Sequence, residues 1–291
     1  MSEIFVLPDA SWDRPYPAAE QLRSLHALES GAVVALERLS FALDDGERKL
    51  LSPAVAGNGK NISFDPNTGR LRGTSAEGGD FAALHSLMER FAASTRKLLH
   101  NLLPRYAPHL QQARTSFRPI EIAGRQTSWR KDDTRLHVDS FPSSPVQGRR
   151  ILRVFSNVNP DGKTRLWRLG EPFADVAQRY RDALRDPPWG AGVVLERLGI
   201  TKGRRSAYDH FMIRIHDAMK ADLAYQSSAS QVEHAFAPGS TWIVFTDQVS
   251  HAAMTGQHAL EQTFLLPVDA MLDPGQAPLA TLERIVGRPL A

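Results

Sequence analysis

The stretch that decides the fold runs from Arg135 to Asn159 and reads RLHVDSFPSSPVQGRRILRVFSNVN. If its first half is extended, His137 and Asp139 stand two residues apart, so their side chains leave the backbone on the same face. An imidazole and a carboxylate then converge on one point. Because two groups do not complete the coordination of a metal ion, this spacing predicts a third ligand from elsewhere in the chain.

The third ligand is predicted in the stretch PGSTWIVFTDQVSHAAMTGQH, which covers 238–258. Its proline and glycine indicate a tight turn, and the apolar TWIVF run indicates a core strand. His251 follows a few residues past that strand, where a metal-facing side chain would emerge, while His234 and His258 remain alternatives. With His137 and Asp139 it forms the 2-His-1-carboxylate triad that holds Fe(II) and leaves positions open for oxygen and a co-substrate.

The composition is that of an ordinary globular protein. The chain has 291 residues, of which 42% are hydrophobic and 23% are charged, and we expect one catalytic domain over 1–291. No apolar run is long enough to cross a bilayer and the N-terminus lacks the features of a secretory signal, so a cytoplasmic location is expected. Without cysteine the chain has neither disulfides nor thiolate ligands, so histidine and carboxylate must hold any metal.

Strand-like segments occur in two groups separated by a helical region. Residues 1–115 are expected to form a support of helices and strands, 116–160 and 231–270 the strand groups, and 161–230 a mostly helical insertion. Within the first group SFRPIEIAG, RQTSWRK and TRLHVDS are expected to be three successive strands. Ligands from separated strand groups meet when two sheets face each other. We therefore predict an α+β fold built on a double-stranded β-helix, the jelly-roll or cupin-like arrangement, with packed N-terminal helices.

The basic residues are unevenly placed, although the net charge is only +3. One group follows the His-x-Asp segment and comprises Arg149, Arg150, Lys163, Arg165 and Arg168. A second group comprises Lys202, Arg204 and Arg205. Clustered cations indicate a site for an anionic partner such as a phosphate, a carboxylate or an acidic membrane surface. A solvated face is the alternative explanation.

An iron site of this kind usually draws two electrons from 2-oxoglutarate, whose far carboxylate needs a buried cation. Many such enzymes place an arginine shortly after the distal histidine, but here Gln262 stands near that place and no cation occurs between His251 and Arg284. Arg153 lies in an apolar strand, where burial without an anion would be costly. We therefore predict Arg153 as the anchor, with Gln262 also in contact. The alternative for Arg153 is a place on an edge strand with its side chain in solvent.

Two longer stretches carry a resemblance to a known family. HVDSFPSSPVQGRRILRVFSNVNPDGKTRLW and FTDQVSHAAMTGQHALEQTF resemble sequences of the 3-deoxy-D-manno-oct-2-ulosonic acid (Kdo) hydroxylases. The likeness extends over most of the chain and is densest over 128–168 and 238–267. Those proteins are bacterial Fe(II)- and 2-oxoglutarate-dependent dioxygenases that hydroxylate carbon 3 of Kdo in the inner core of lipopolysaccharide.

The resemblance implies Fe(II), 2-oxoglutarate and O2, and conversion of Kdo to the 3-hydroxylated sugar Ko with succinate and carbon dioxide as co-products. By position, His137, Asp139 and His251 would be the iron ligands. The implied substrate is a Kdo-bearing lipid A or related saccharide. The first basic group would then orient the sugar and dock the protein on the anionic inner face of the inner membrane.

Two other functions remain open on the residues alone. One is an iron- and 2-oxoglutarate-dependent hydroxylase of a protein or small-molecule substrate. The other is a non-catalytic cupin-like module that binds an anionic sugar, with His137 and Asp139 bonded only to backbone groups and water. A nucleic-acid partner is not indicated, because the cations are not interleaved with aromatic residues in a recognisable module.

Overall fold

Two β-sheets of unequal size frame the molecule, which the computed structural model describes over residues 3–57, 59 and 61–291. In spatial order, the strands of the large sheet are β1 (Ile4–Val6), β2 (Val33–Leu36), β9 (Thr241–Phe245), β6 (Arg150–Asn157), β11 (Ala259–Leu266), β5 (Gln111–Arg118), β3 (Ile62–Asp65) and β4 (Arg70–Arg72). The strands of the small sheet are β10 (His251–Ala253), β7 (Arg165–Leu169) and β8 (Val232–Phe236). All neighbouring pairs are antiparallel except β1 with β2.

Aromatic side chains fill the space between the facing sheets. Trp242 of the large sheet stacks on Phe236 of the small one with ring centroids 4.0 Å apart. Phe155 meets Trp167 edge to face at 5.0 Å. Such offset and edge-on contacts add to the stabilisation that burial alone provides. Two antiparallel sheets closed over one core are the predicted double-stranded β-helix, so the predicted fold class is confirmed.

Helices cover the outer face of the large sheet and fill the region around the small one. Their bounds are α1 (Ala18–Glu29), α2 (Asp45–Arg48), α3 (Gly78–Leu102), α4 (Phe173–Arg179), α5 (Ala191–Arg197), α6 (Ala207–Ala221), α7 (Leu223–Ser228) and α8 (Pro278–Val286). On α3 the buried side chains recur at three- and four-residue steps, as in Leu84, Leu87, Met88 and Phe91, so one apolar face lies against the sheet. Among the described residues, no helix is both long and apolar enough to span a bilayer.

The structure differs from the strand prediction before the metal-ligand segment. Only β5 forms there, and it is followed by irregular chain with a single 3-10 turn at Trp129–Lys131. TRLHVDS makes one β-bridge, between His137 and His251. On its other side the Gln226 side chain accepts from the amide of Leu136 at 2.7 Å and donates to its carbonyl at 3.0 Å. A glutamine side chain therefore stands in for the neighbouring strand that the prediction assumed.

Strands occur in both the expected support and the expected insertion. The N-terminal region supplies β1–β4 and part of β5 to the large sheet, so it forms sheet as well as packing against it. The region 161–230 contains β7, which is the central strand of the small sheet. The insertion is therefore helical only after this strand.

Arg150 forms a buried ion pair on the side of β6 that faces the helices. Its Nε donates to Asp247 Oδ2 at 2.7 Å, and its guanidinium lies 3.9 Å from the ring centroid of Phe245. Both charged side chains are almost fully buried. Arg150 was predicted to bind substrate, but its contacts here belong to the core on the opposite face from the metal-ligand residues.

We expect Arg150→Met to lower the free energy of unfolding by about 3–5 kcal/mol, because the Asp247 carboxylate is left buried without its partner. The measurement is equilibrium unfolding in urea. The double variant Arg150→Met with Asp247→Leu should recover most of the loss, since it removes both charges. Arg168→Met, at an exposed pair with Glu233, serves as control and should change stability by less than about 1 kcal/mol. An Arg150→Met protein as stable as wild type would contradict this role.

Candidate metal centre

Backbone hydrogen bonds bring the three predicted ligands together. The amide of His137 donates to the carbonyl of His251 at 3.0 Å, and the reverse bond is 2.9 Å. The amide of Asp139 donates to the carbonyl of Thr246 at 2.7 Å, which ties the next part of the segment to the loop before β10. The side chains of His137, Asp139 and His251 each present a ligand atom, and these atoms lie within 4.8 Å of one another.

Both imidazoles are held in the tautomer that a metal requires. His137 Nδ1 lies 2.7 Å from the carbonyl oxygen of Arg135, and His251 Nδ1 lies 2.8 Å from that of Val249. Because a carbonyl oxygen can only accept, Nδ1 must carry the proton in each ring. The lone pair is then on Nε2, which is free to bind a metal. Trp167 stacks against His251 with centroids 5.1 Å apart and fixes that ring further.

The charge states of the three side chains suit a cation. Burial lowers the pKa of His137, and the neighbouring His251 lowers it further. Burial also lowers the pKa of His251. For Asp139 burial acts in the opposite direction, but the Arg153 guanidinium and the two imidazoles outweigh it and hold the pKa well below its usual range. The group is therefore two neutral imidazoles and one carboxylate at neutral pH.

Arg153 lies on β6 beside the ligand group and is 9% exposed. Its Nη1 is 3.1 Å from Asp139 Oδ2 and 3.2 Å from Glu261 Oε1. The contact to Asp139 is poorly aligned for a hydrogen bond, so Oδ2 keeps its lone pairs, and Arg153 Nε also has no hydrogen-bond partner among the described residues. Because β6 has neighbours on both sides, the edge-strand alternative for Arg153 does not apply.

Arg165 is a second buried arginine beside the ligand group. It lies on β7 and is 2% exposed. Its Nη1 makes one long hydrogen bond of 3.3 Å to the carbonyl of Gly256, and its Nε has no partner among the described residues. Burial and the nearby Arg118 lower its pKa. A buried cation with so few donors satisfied is costly unless an anion completes its contacts.

A small cavity of about 50 Å³ lies among these groups. Its wall includes the three ligand side chains and the arginines Arg118, Arg153 and Arg165. It adjoins a larger cleft of about 490 Å³, and the two share Arg118 and Arg153. The metal-ligand group therefore lies at the inner end of an open, partly basic cleft.

The other predicted site residues lie outside this cavity. Lys163 is exposed on the loop before β7, Arg168 pairs with Glu233 on the outer face of the small sheet, and Arg149 contacts the carbonyl of Val146 and the side chain of Gln111. Gln262 is fully buried, where Thr115 donates to its Oε1 at 2.5 Å and its Nε2 donates to the carbonyls of Ala113 and Thr263. These bonds use its polar atoms on the opposite face of β11 from Glu261.

The two alternative histidines are also apart from the ligand group. His234 lies on β8 and packs edge to face on Phe236. His258 precedes β11 with a backbone φ of 58° and stacks on Phe117 at 6.3 Å. His251 alone among the three bridges to the His-x-Asp segment.

Sequence reasoning missed Arg118 and Glu261, which pair across β5 and β11. Arg118 Nε donates to Glu261 Oε2 at 2.9 Å, and Glu261 in turn contacts Arg153. Glu261 is a charged residue in the mostly apolar strand β11, which is the signal that singled out Arg153. Applied to ALEQTF, the same test would have found Glu261, whereas β5 (QQARTSFR) is mostly polar and gives no such signal for Arg118.

Facing antiparallel sheets that carry this ligand group define a non-heme iron, 2-oxoglutarate-dependent dioxygenase. A family model described as 3-deoxy-D-manno-oct-2-ulosonic acid (Kdo) hydroxylase matches residues 11–289. The chain belongs to the Kdo hydroxylase family, and the resemblance noted in the sequence is confirmed.

Crystal structures of the Kdo hydroxylase KdoO, described as a non-heme Fe(II) alpha-ketoglutarate-dependent dioxygenase, are similar over the whole chain. The complex with alpha-ketoglutarate (2-oxoglutarate) and Fe(III) is 47% identical, with 100% of this chain and 98% of that chain covered and a TM-score of 0.96. The cobalt(II) complex is 48% identical, with 99% and 97% covered and a TM-score of 0.97. Among curated proteins, no significant match is found.

The residues present fit ferrous iron and a dicarboxylic co-substrate. Two Nε2 lone pairs and a carboxylate oxygen without a hydrogen bond supply the three ligands of a facial triad. Two buried guanidinium Nε atoms without partners supply donors for an anion. The unsatisfied polar atoms around the cavity are thus of the types that iron and 2-oxoglutarate would bind.

We expect His251→Ala to abolish stoichiometric binding of Co(II), used as an air-stable substitute for Fe(II), because only two of three ligands remain. Isothermal titration calorimetry measures the stoichiometry and the affinity of Co(II) binding. His234→Ala is the matched control and should bind one Co(II) with wild-type affinity. Equal binding by both variants would show that the metal is held elsewhere.

The affinity for Co(II) should stay constant from about pH 8 to about pH 6.5 and fall only at lower pH. Protons compete with the metal for imidazole nitrogen, and the lowered pKa values of His137 and His251 shift that competition to more acidic solution. The same calorimetric titration, repeated across this pH range, measures the Co(II) affinity. A fall beginning above pH 7 would contradict the lowered values.

Proposed function

We propose that the chain hydroxylates carbon 3 of Kdo in a Kdo-bearing saccharide of the lipopolysaccharide inner core, with Fe(II) held by His137, Asp139 and His251. The observation that carries the assignment of ligands is the convergence of their three ligand atoms within 4.8 Å, with both imidazole tautomers fixed by carbonyls. Iron- and 2-oxoglutarate-dependent Kdo hydroxylation is the activity of the family to which the chain belongs.

When bound, iron, 2-oxoglutarate and O2 supply the oxidation that converts a C–H bond into C–OH, with release of succinate and carbon dioxide. The protein holds the reactants and excludes water. The carbonyls of Arg135 and Val249 keep the imidazole protons on Nδ1, so Nε2 remains a ligand throughout. The facing sheets and the stacked Trp167 close the cavity from behind.

The co-substrate carboxylate is bound by Arg165 together with Arg153. Both line the small cavity, and both have an Nε without a partner among the described residues. Arg153 already forms ion pairs with Asp139 and Glu261, whereas among the described residues the side chain of Arg165 makes one hydrogen bond, to a carbonyl, and no ion pair. Arg165 therefore gains more from an added anion, and Arg153 contributes mainly to the charge balance of the ligand group.

We expect Arg165→Leu to weaken 2-oxoglutarate binding by about tenfold to a hundredfold with Fe(II) affinity unchanged, since one charge-assisted contact is lost. Anaerobic titration of the metal-to-ligand charge-transfer band measures this. Arg153→Leu should also weaken 2-oxoglutarate binding, because its guanidinium lines the same cavity.

Arg168→Leu is the matched control, because Arg168 lies on the same strand but faces outward. It should titrate like wild type. If Arg165→Leu also titrates like wild type, the carboxylate of 2-oxoglutarate is bound elsewhere.

The sugar acid is bound in the cleft that adjoins the metal cavity. The cleft is lined by Arg114, Arg118, Arg153 and Lys202 among other residues. Kdo carries a carboxylate, so these cations supply its counter-charge while the reacting carbon points toward the ligand group. Among the described residues the Arg114 side chain bonds only the hydroxyl of Ser63, at 3.1 Å, and it is the best placed of the four to turn to the substrate.

We expect Arg114→Ala to raise KM for a water-soluble Kdo saccharide by about tenfold, because one charge-assisted contact is lost, while 2-oxoglutarate binding is unchanged. Succinate release at saturating 2-oxoglutarate measures it. Arg23→Ala, an exposed arginine on α1, is the control and should behave like wild type. An unchanged KM for Arg114→Ala would place the sugar elsewhere.

The alternative substrates are separated from Kdo by the same assay. A hydroxylase of proteins or small molecules would release succinate with peptides or free metabolites but not with the Kdo saccharide. A binding module would release none with any of them. The substrate is attached to lipid in the inner core, so we further propose that the protein works at the anionic inner face of the inner membrane.

A further inference from the structure

Large apolar side chains are exposed together around α5. Trp189 is completely exposed, and Val194, Leu198 and Ile200 are 53%, 68% and 54% exposed. These four residues define the α5 surface. They lie within twelve residues of sequence but make up four of the ten large hydrophobic residues exposed in the described chain. Scattered exposed apolar residues need no explanation, whereas a contiguous group marks an interaction surface.

The α5 surface is built onto the frame through its backbone. None of the residues of α5 is buried. A Cβ added to Gly192 would lie 2.5 Å from the carbonyl oxygen of Arg205, so the helix backbone packs directly on the following segment. That segment is tied to the cleft, because the amide of Lys202 donates to the carbonyl of Ser143 at 2.9 Å and Arg205 Nη2 to that of Pro142 at 2.6 Å. The apolar side chains therefore project outward from a fixed position.

The segment that carries the apolar group is basic. The segment 181–205 contains six basic and three acidic residues, so its net charge of +3 equals that of the whole chain. The basic residues are Arg181, Arg185, Arg197, Lys202, Arg204 and Arg205. Exposed tryptophan and leucine in a basic segment is the composition that favours the interface of an anionic bilayer.

We propose that the α5 surface inserts into the headgroup region of an anionic phospholipid membrane and holds the cleft at the bilayer. The proposal rests on the proposed function, since a lipid-linked sugar must be reached from the membrane face. Ser143 and Lys202 line the cleft and also hold the segment after α5. Insertion of α5 therefore brings the mouth of the cleft next to the lipid surface.

A second copy of the chain is a less suitable occupant. A symmetric dimer through the α5 surface would bring two segments of net charge +3 together, and like charges at an interface oppose association. An anionic membrane complements the same charge.

The test is flotation of the full chain with vesicles of phosphatidylethanolamine and phosphatidylglycerol. The double variant Leu198→Ser, Ile200→Ser should lower the membrane partition coefficient at least about tenfold, since it removes two of the four inserted apolar side chains. The matched control is Leu223→Ser with Val232→Ser, two exposed apolar residues on α7 and β8, which should float like wild type. Equal flotation of both double variants would overturn the proposal.

Insertion is observed directly with single labelled cysteines, which the cysteine-free chain allows. A polarity-sensitive dye on Leu198→Cys should shift to shorter wavelength with the anionic vesicles and much less with phosphatidylcholine alone. The same dye on Leu223→Cys should not shift. A dye at position 198 that shifts on raising the protein concentration without lipid would indicate self-association and refute the membrane assignment.

Enzyme assays keep this proposal separate from the proposed function. The Leu198→Ser, Ile200→Ser variant should turn over a water-soluble Kdo saccharide like wild type but show at least a tenfold lower kcat/KM on Kdo-lipid in anionic vesicles. Equal loss on both substrates would mean that the α5 surface acts through the catalytic site, which contradicts the proposal. Absence of turnover by wild type on either substrate would refute the proposed function, while the flotation result would still decide the docking surface.

Discussion

The pair of hydrogen bonds between the backbones of His137 and His251 is the constraint on which the centre depends. It joins residues more than a hundred positions apart and sets the ring centroids 4.6 Å from each other. The bridge forms only because two sheets close over one aromatic core, with Trp167 and Trp242 between them. The fold and the ligand geometry are therefore coupled in this chain, since the packing that closes the sheets also brings the ligands together.

The centre also depends on how buried charge is distributed. Three arginines and three carboxylates lie near the ligand group, and Glu261 contacts both Arg118 and Arg153. A paired network of this kind offsets part of the cost of taking ions out of water. Asp139 stays ionised within it because Arg153 is close, and among the described residues Arg165 Nε has no hydrogen-bond partner. The network thus holds the apoprotein near neutrality while leaving specific contacts open for reactants.

The parts of the site that could be predicted from sequence are those governed by local spacing. His137 and Asp139 follow from the two-residue repeat of extended chain, and His251 from its place after a core strand. The charge in an apolar strand identified Arg153, but the same signal at Arg150 has a different cause. The two residues are three apart on β6, so they face opposite sides of the sheet, and only the tertiary partner Asp247 shows that Arg150 belongs to the core. Arg165 could be grouped with its neighbours by sequence, yet the alternation of inward and outward side chains along β7 separates it from Arg168.

The strand expected at TRLHVDS does not form, because the side chain of Gln226, from a distant helix, occupies the place of a neighbouring strand.

That glutamine has a further effect on how the protein behaves in a crowded solution. The segment that carries His137 and Asp139 forms the outermost row of the small sheet, where free amides and carbonyls would invite a strand from another molecule. By occupying both polar groups of Leu136 with one side chain, Gln226 closes this row to intermolecular pairing. The edge of the sheet that carries His137 and Asp139 is thereby protected from aggregation. No further strand, which would crowd the cavity, is needed there.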